Sequence, residues 1–241
     1  MEELAETLAW IADEGADVLY RSELARRLSA AVRERGGRVT EADLAEFRVI
    51  RRRPVRAVYR GTEFVSNPAP SSGGLLIAFA LRVLDRLGEM PPAGGPEALA
   101  SLALVMREAA RVRGPAFLSE LFRGGAARRI LADERVEASA RAVWAGVAET
   151  LAERAGHPST THISVLDANG NAASLSASTG CGSGFFVPGT GIQLNNMLGE
   201  PDLNPGGAAA TPGARLTSMM APSFVLSGGS PGVSSTRPST S

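Results

Sequence analysis

The amino-acid sequence predicts an α+β protein in which a helical stretch precedes a strand-and-turn stretch. Three observations carry this. Residues 1–159 hold 23 arginines against 22 acids and are rich in Ala, Leu and Glu, whereas residues 160–241 hold two arginines and three acids. The second stretch is dominated instead by Gly, Ser, Thr, Pro and Asn. Apolar residues in the first stretch recur at spacings of three and four, while residues 161–166 alternate toward Asn169-Gly170, as a strand entering a turn does. The expected segments are therefore 1–159, mainly helical; 160–226, β-rich; and 227–241, a disordered tail with almost nothing to bury.

Leu4, Leu8, Ile11 and Ala12 mark a first helix. Leu19, Leu24, Leu28, Ala31 and Val32 mark a second, stopped by Gly36-Gly37. Thr40 suits the N-cap of a short helix through Phe47, with Asp43 in the place where a capping box usually carries Glu. Residues 55–59 and 64–65, separated by Arg60-Gly61, read as a hairpin. Pro70-Ser71-Ser72-Gly73-Gly74 then leads into a helix over 75–87, apolar nearly all round and so expected in the core. Further helical patterns cover 96–112, 115–131 and 134–155. After residue 160 a hairpin pairs 160–166 with 171–178 through Asn169-Gly170, a type I′ signal. Short strands are expected at 192–194 and 223–226.

Composition excludes several classes of function. The 25 basic and 25 acidic residues cancel, whereas nucleic-acid binding by electrostatics needs a one-signed surface. Every basic residue is Arg, so a lysine base or Schiff base is ruled out. The longest apolar run, residues 75–81, falls far short of the ~20 residues that span a bilayer. A single cysteine, Cys181, leaves no internal disulfide and no thiolate metal cluster, and His157 and His162 are too few for most histidine metal sites. No metal or cofactor is expected. Glu2 and Glu3 at the start are unlike a targeting segment, and localisation is not legible.

Chemistry is narrowed by what is missing. Gly180-Cys181-Gly182-Ser183-Gly184 lacks the Lys and the helix of a phosphate cradle. A hydroxyl without a histidine base can still use its own α-amino group if cleavage makes it a new N-terminus. That route needs a Thr, Ser or Cys opening a strand after a cleavable loop, and the segment His157 to His162 fits, because a helix is expected to end near Ala155 and a hairpin to begin at Thr160.

The motif Thr160-Thr161-His162-Ile163-Ser164-Val165-Leu166-Asp167, with Gly170-Asn171-Ala172, resembles the start of the small subunit of γ-glutamyltransferases. Supporting motifs follow in the same order. Pro188 to Asn196 resembles the family's Gly-Ile-x-Leu-Asn-Asn segment, and Arg215 to Pro222 its Ser-Ser-Met-x-Pro loop. Upstream, Pro70 to Gly74 resembles the proline-rich entry to a large-subunit helix, and Thr40 to Phe47 a Thr-x-x-Asp-Leu segment. The resemblance implies an N-terminal-nucleophile (Ntn) hydrolase fold, an αββα sandwich that this stretch supplies incompletely at both ends. It implies self-cleavage between Ser159 and Thr160, and transfer of the γ-glutamyl group of glutathione-like donors to water, amino acids or peptides. Chains 1–159 and 160–241 would then stay associated.

By motif position the resemblance makes Thr160 the nucleophile and Ser178 the hydroxyl that bonds it. Glu200 would hold the substrate α-amino group, Thr217 and Ser218 its α-carboxylate, and Thr179 or Gly180 falls where a substrate-binding Asn is usual. Met197 stands where many relatives carry Glu or Gln. Gly228-Gly229 comes too soon after Leu226 to be the family's oxyanion pair. His162 is expected to be packed or hydrogen-bonded rather than catalytic, Arg51-Arg52-Arg53 a solvated face, and Ser71 to Gly74 a capping and packing element rather than an anion site. Two alternatives stay open: a catalytically inactive fragment keeping part of the fold, and a serine hydrolase using Ser71 or Ser72, for which nothing supplies the base.

Overall fold

The computed structural model describes residues 2–114, 116–146, 160–200, 203 and 213–231. They form two compact units, Met1–Arg51 with Ser178–Glu200, and Arg52–Ala177 with Pro201–Ser241. The compositional break near residue 157 does not divide the units, because each combines sequence from both sides of it.

In the first unit α1 (Glu2–Glu14), α2 (Asp17–Arg21), α3 (Glu23–Glu34) and α4 (Glu41–Glu46) surround a small core. Val18, Leu24, Leu28 and Ala31 are buried together with Val187, which arrives from the 178–200 segment. The second expected helix is two helices. Ser22 interrupts it in extended conformation, its hydroxyl accepting the Leu24 N–H at 3.0 Å and donating to the Val18 carbonyl at 2.5 Å. A serine that bonds its local backbone in this way competes with helix continuation. The capping box forms as expected, with the Thr40 hydroxyl accepting from Asp43 N–H and the Asp43 carboxylate accepting from Thr40 N–H.

On α1 the buried residue is Thr7, while Leu8 is 56% exposed. The inward stripe is thus Leu4, Thr7 and Ile11, rotated from the expected one. The cause is the close approach of Gly191, where an added Cβ would lie 2.5 Å from the Leu4 nitrogen. Thr7 then donates its hydroxyl proton to the Thr190 carbonyl at 2.9 Å. The expected strand at 192–194 reduces to one bridge, Phe186 to Gln193.

The second unit opens with the antiparallel strands β1 (Val55–Tyr59) and β2 (Thr62–Ser66), registered from Val55 opposite Ser66 to Tyr59 opposite Thr62. Arg60 and Gly61 both have positive φ, 48° and 77°, the requirement of a type I′ turn. Next come α5 (Gly73–Leu87), α6 (Pro96–Arg111), α7 (Phe117–Arg123), α8 (Ala126–Ile130) and α9 (Asp133–Ala145). The helix expected over 115–131 is split at Gly124-Gly125, whose φ values of 89° and 98° no helix accommodates. The part of the last helical pattern beyond residue 146 lies outside the described residues.

Then follow β3 (Thr160–Leu166), β4 (Ala172–Ser178), β5 (Ser223–Ser227) and β6 (Ser230–Pro231). The strands make a four-stranded sheet in the order β1-β2-β5-β6 and a separate two-stranded sheet, β3-β4. α5 lies between the larger sheet and the other helices, which is why its sequence is apolar on so many sides. Phe79 and Val83 are fully buried there beside Val55, Ala57 and Phe64 of the sheet and Val105, Ile130 and Val136 of the helices. Arg82 and Arg86 pair with Asp133 at 2.7 and 2.8 Å, but the carboxylate is 69% exposed. Such pairs are worth about 0–1 kcal/mol, so apolar packing holds the seam.

Two further expectations are corrected. The β3–β4 connection is not a type I′ turn, because Asn169 keeps a negative φ. Gly170 N–H donates to the Asp167 carbonyl, Gly170 sits at φ 81°, and the Asp167 carboxylate accepts the N–H groups of Asn169 and Asn171. Satisfying three donors with one aspartate favours this longer loop, a turn followed by a left-handed glycine. Residues 227–231, expected in a disordered tail, are instead ordered, since Ser227 ends β5 and Gly228-Gly229 turns the chain back into β6, which pairs with β5. Residues 232–241 lie outside the described residues.

Candidate active site

Ser159 lies outside the described residues. Thr160 is described and is the first residue of β3. All seven side chains of β3 are exposed, while along β4 half-buried and exposed residues alternate. One face of β3 carries Thr160, His162 and Ser164, the other Thr161, Ile163 and Val165, as the pleat requires. His162 bonds through Nδ1 to the Ser176 hydroxyl at 2.8 Å and through Nε2 to the Ser164 hydroxyl at 2.9 Å. Both ring nitrogens are engaged, which makes His162 a cross-strand tie of the hairpin.

Ser178, Thr179 and Glu200 belong to the first unit. The Ser178 hydroxyl accepts the Gly180 N–H at 3.0 Å, and the Thr179 carbonyl accepts the N–H groups of Gly182 and Asn196. These bonds fold the loop so that Glu200 Oε1 receives the Cys181 N–H at 3.1 Å. Gly180 sits at φ 65°, which favours glycine, and an added Cβ there would stand 2.7 Å from the same oxygen and displace the Glu200 carboxylate. The side-chain hydrogen bond from Cys181 to Glu200, and the charge of that carboxylate, push the Cys181 thiol above its ordinary range. Met197 opens a short 3-10 turn, Met197–Gly199, which delivers Glu200.

Thr217 and Ser218 belong to the second unit and differ sharply. Thr217 is buried and donates its hydroxyl proton to the Pro70 carbonyl at 2.7 Å. The Ser218 hydroxyl is half-buried and accepts the Met220 N–H at 3.0 Å. Among the described residues no acceptor takes the Ser218 hydroxyl proton, so of the pair it is Ser218 that can donate to an anion.

The Ser71 to Gly74 stretch is the partner that sequence reasoning assigned too loosely. Neither serine caps α5, since Ser72 makes no side-chain cap bond. Their hydroxyls instead reach the loop that carries Thr217 and Ser218. Two serines followed by two glycines at the mouth of a core helix were the available signal, because small residues mark close backbone approach. Gly228-Gly229, with φ of 60° and 83°, forms the β5–β6 turn.

Clefts of about 400 and 420 Å³ in this unit are lined by Arg56, Glu63, Arg82 and Asp85, and by Leu87, Met90, Pro92 and Trp144, rather than by Thr160 or Ser218. No group of His, Cys, Asp and Glu that could hold a metal ion occurs among the described residues. None of their helices is long and apolar enough to cross a membrane.

Comparison with known proteins places these features in context. The family model described as gamma-glutamyltranspeptidase matches residues 1–235. The acylase ACY 1 proenzyme of Pseudomonas sp. (strain SE83) is 34% identical over 93% of this chain and 42% of that protein. The glutathione hydrolase proenzyme of Pseudomonas aeruginosa is 32% identical over 94% of this chain and 44% of that protein. Among solved structures, cephalosporin acylase from Bacillus halodurans superposes with a TM-score of 0.76 at 26% identity, over 95% of this chain and 42% of that one. The chain thus spans less than half the length of the relatives it matches.

Proposed function

Because the chain belongs to the gamma-glutamyltranspeptidase family, we propose that it is a self-cleaving Ntn hydrolase or transferase whose nucleophile is Thr160. The observation that carries this reading is that Thr160 lies in β3, so a cut before it leaves a strand-anchored N-terminal residue. The Thr160 hydroxyl attacks the Ser159 carbonyl, the peptide nitrogen leaves as the Thr160 amine, and water hydrolyses the resulting ester. An α-amine has a pKa of about 7.7–8.0 and serves near neutrality as base for its own residue's hydroxyl. That hydroxyl attacks the γ-amide of glutathione or a similar donor. The amine of the leaving group takes the proton, and water, an amino acid or a peptide resolves the acyl-enzyme.

In this reading Ser178 hydrogen-bonds the nucleophile, Glu200 meets the donor α-ammonium with Thr179 beside it, and Ser218 meets the α-carboxylate. Thr217 acts through its bond to Pro70, holding Ser218's loop. Chains 1–159 and 160–241 remain associated, and neither a metal nor a cofactor takes part. The test is release of p-nitroaniline from γ-glutamyl-p-nitroanilide by the purified protein. Thr160→Ala abolishes release and Thr160→Ser retains part of it. Release that survives Thr160→Ala contradicts the assignment.

A second reading, an inactive member keeping part of the fold, is favoured by the exposure of every β3 side chain. It predicts no release from folded protein with either γ-glutamyl or glutaryl anilides. Turnover of the glutaryl compound alone would instead retain the Thr160 chemistry and move the donor class away from γ-glutamyl groups.

A further inference from the structure

We propose that Ser71 and Ser72 are positioning residues for Ser218, holding its hydroxyl where a donor α-carboxylate binds. The inference rests on the reading of Ser218 given above and adds the residues that act through it. Ser72 N–H donates to the Ser218 carbonyl at 2.7 Å. The Ser72 hydroxyl lies 3.2 Å from the same oxygen. The Ser71 hydroxyl lies 2.9 Å from it and 3.0 Å from the Met220 carbonyl. Three donor groups therefore converge on one carbonyl, and the single Ser71 proton is shared between it and the Met220 carbonyl two positions on.

The arrangement is built, because every position of the motif contributes. An added Cβ at Gly73 would stand 2.0 Å from the Met219 carbonyl oxygen, and one at Gly74 2.5 Å from that of Asn67. Asn67 itself donates its side-chain amide to the Met220 carbonyl at 3.0 Å. The two glycines bring the backbones together, and the two serines use the gap to grip the carbonyl. Behind them the segment continues into α5, anchored by Leu75 and Phe79 at 1% and 0% exposure. With its carbonyl held and its Oγ accepting the Met220 N–H, the Ser218 hydroxyl oxygen is fixed in place and keeps its proton for donation. Neither serine caps the helix, so this grip is what their hydroxyls do.

The test measures binding of L-glutamate and of 4-aminobutanoate, which lacks the α-carboxylate, to the full chain by titration calorimetry. The variants are Ser71→Ala, Ser72→Ala, Ser71→Thr and Ser218→Ala. Wild type is expected to prefer L-glutamate by about tenfold or more, the worth of a charge-assisted hydrogen bond, and Ser218→Ala to remove that preference. Ser71→Ala and Ser72→Ala should each shrink it about fivefold with 4-aminobutanoate affinity unchanged, and Ser71→Thr should restore it. If both alanine variants keep the wild-type preference, or weaken both ligands alike, the positioning role is overturned while the Ser218 reading stands. If wild type shows no preference, or Ser218→Ala leaves it intact, the Ser218 reading falls and the inference with it. Should Ser72→Ala not fold, the half-buried Ser71 pair of variants decides the matter alone.

Discussion

Replacing Gly73 by alanine sets two physical effects of opposite sign against each other. Gly73 is the first residue of α5, and helix propensity alone favours alanine there by up to about 1 kcal/mol. The added Cβ, however, would stand 2.0 Å from the Met219 carbonyl oxygen and 2.8 Å from its carbon, both backbone atoms. Relieving that contact requires the 218–221 loop to move outward by about 1 Å or more, which lengthens the 2.7 Å bond from Ser72 N–H to Ser218 and loosens the Ser71 bonds. Two such bonds at ~1 kcal/mol each, with ~1–3 kcal/mol of overpacking, outweigh the helix gain and leave a net loss of about 2–4 kcal/mol. For a unit of this size that lowers the melting temperature by roughly 4–16 °C. Thermal unfolding measures it, with hydrogen exchange locating the loss at residues 217–222. Gly114→Ala is the control, because nothing lies within 4 Å of its added Cβ. A Gly73→Ala protein as stable as wild type would refute the close approach of α5 and the Ser218 loop.

Further outcomes follow from the same contacts. Phe79→Ala, at a fully buried site, should cost about 3–5 kcal/mol in urea unfolding, and a loss under 1 kcal/mol would contradict the placement of α5 in the core. Cys181 is exposed, yet Glu200 holds its thiol protonated; iodoacetamide should modify it slowly at pH 8 and faster in Glu200→Gln, with equal rates contradicting the Cys181–Glu200 bond. The Asn171 side chain first, then the N–H groups of Asn171, Asn169 and Gly170, hold Asp167 below its ordinary carboxylate value. Its contribution to the hairpin is therefore present above that ordinary value and lost as pH falls through the lowered one. NMR titration should show a low Asp167 pKa that rises in Asn171→Ala, and no change in that variant would remove Asn171 as the cause.

Much of this was legible from local chemistry. The Thr40–Asp43 capping box, the hairpin about Arg60-Gly61 and the burial of α5 through Leu75, Phe79, Val83 and Leu87 each follow from neighbours in sequence. What was not legible depends on partners more than a hundred residues away. Thr7 rather than Leu8 faces inward because Gly191 packs on Leu4. Ser71 and Ser72 grip the Ser218 loop instead of capping their own helix, and Thr217 gives its proton to Pro70. The type I′ signal at Asn169-Gly170 failed for a local reason that composition hides: Asp167 accepts three bonds only if the loop is longer. For the candidate site, motif order supplied residue identities, whereas the contrast between Thr217 and Ser218 came from the geometry.

The central claim is that Thr160 becomes the first residue of a new polypeptide, and intact-mass analysis with N-terminal sequencing of the purified chain tests it most directly. The account predicts two species, residues 1–159 and 160–241, at about 17 and 8 kDa from the 25.0 kDa chain, the smaller beginning Thr-Thr-His. A single 25.0 kDa species, unchanged on prolonged incubation and indistinguishable from Thr160→Ala, would contradict it.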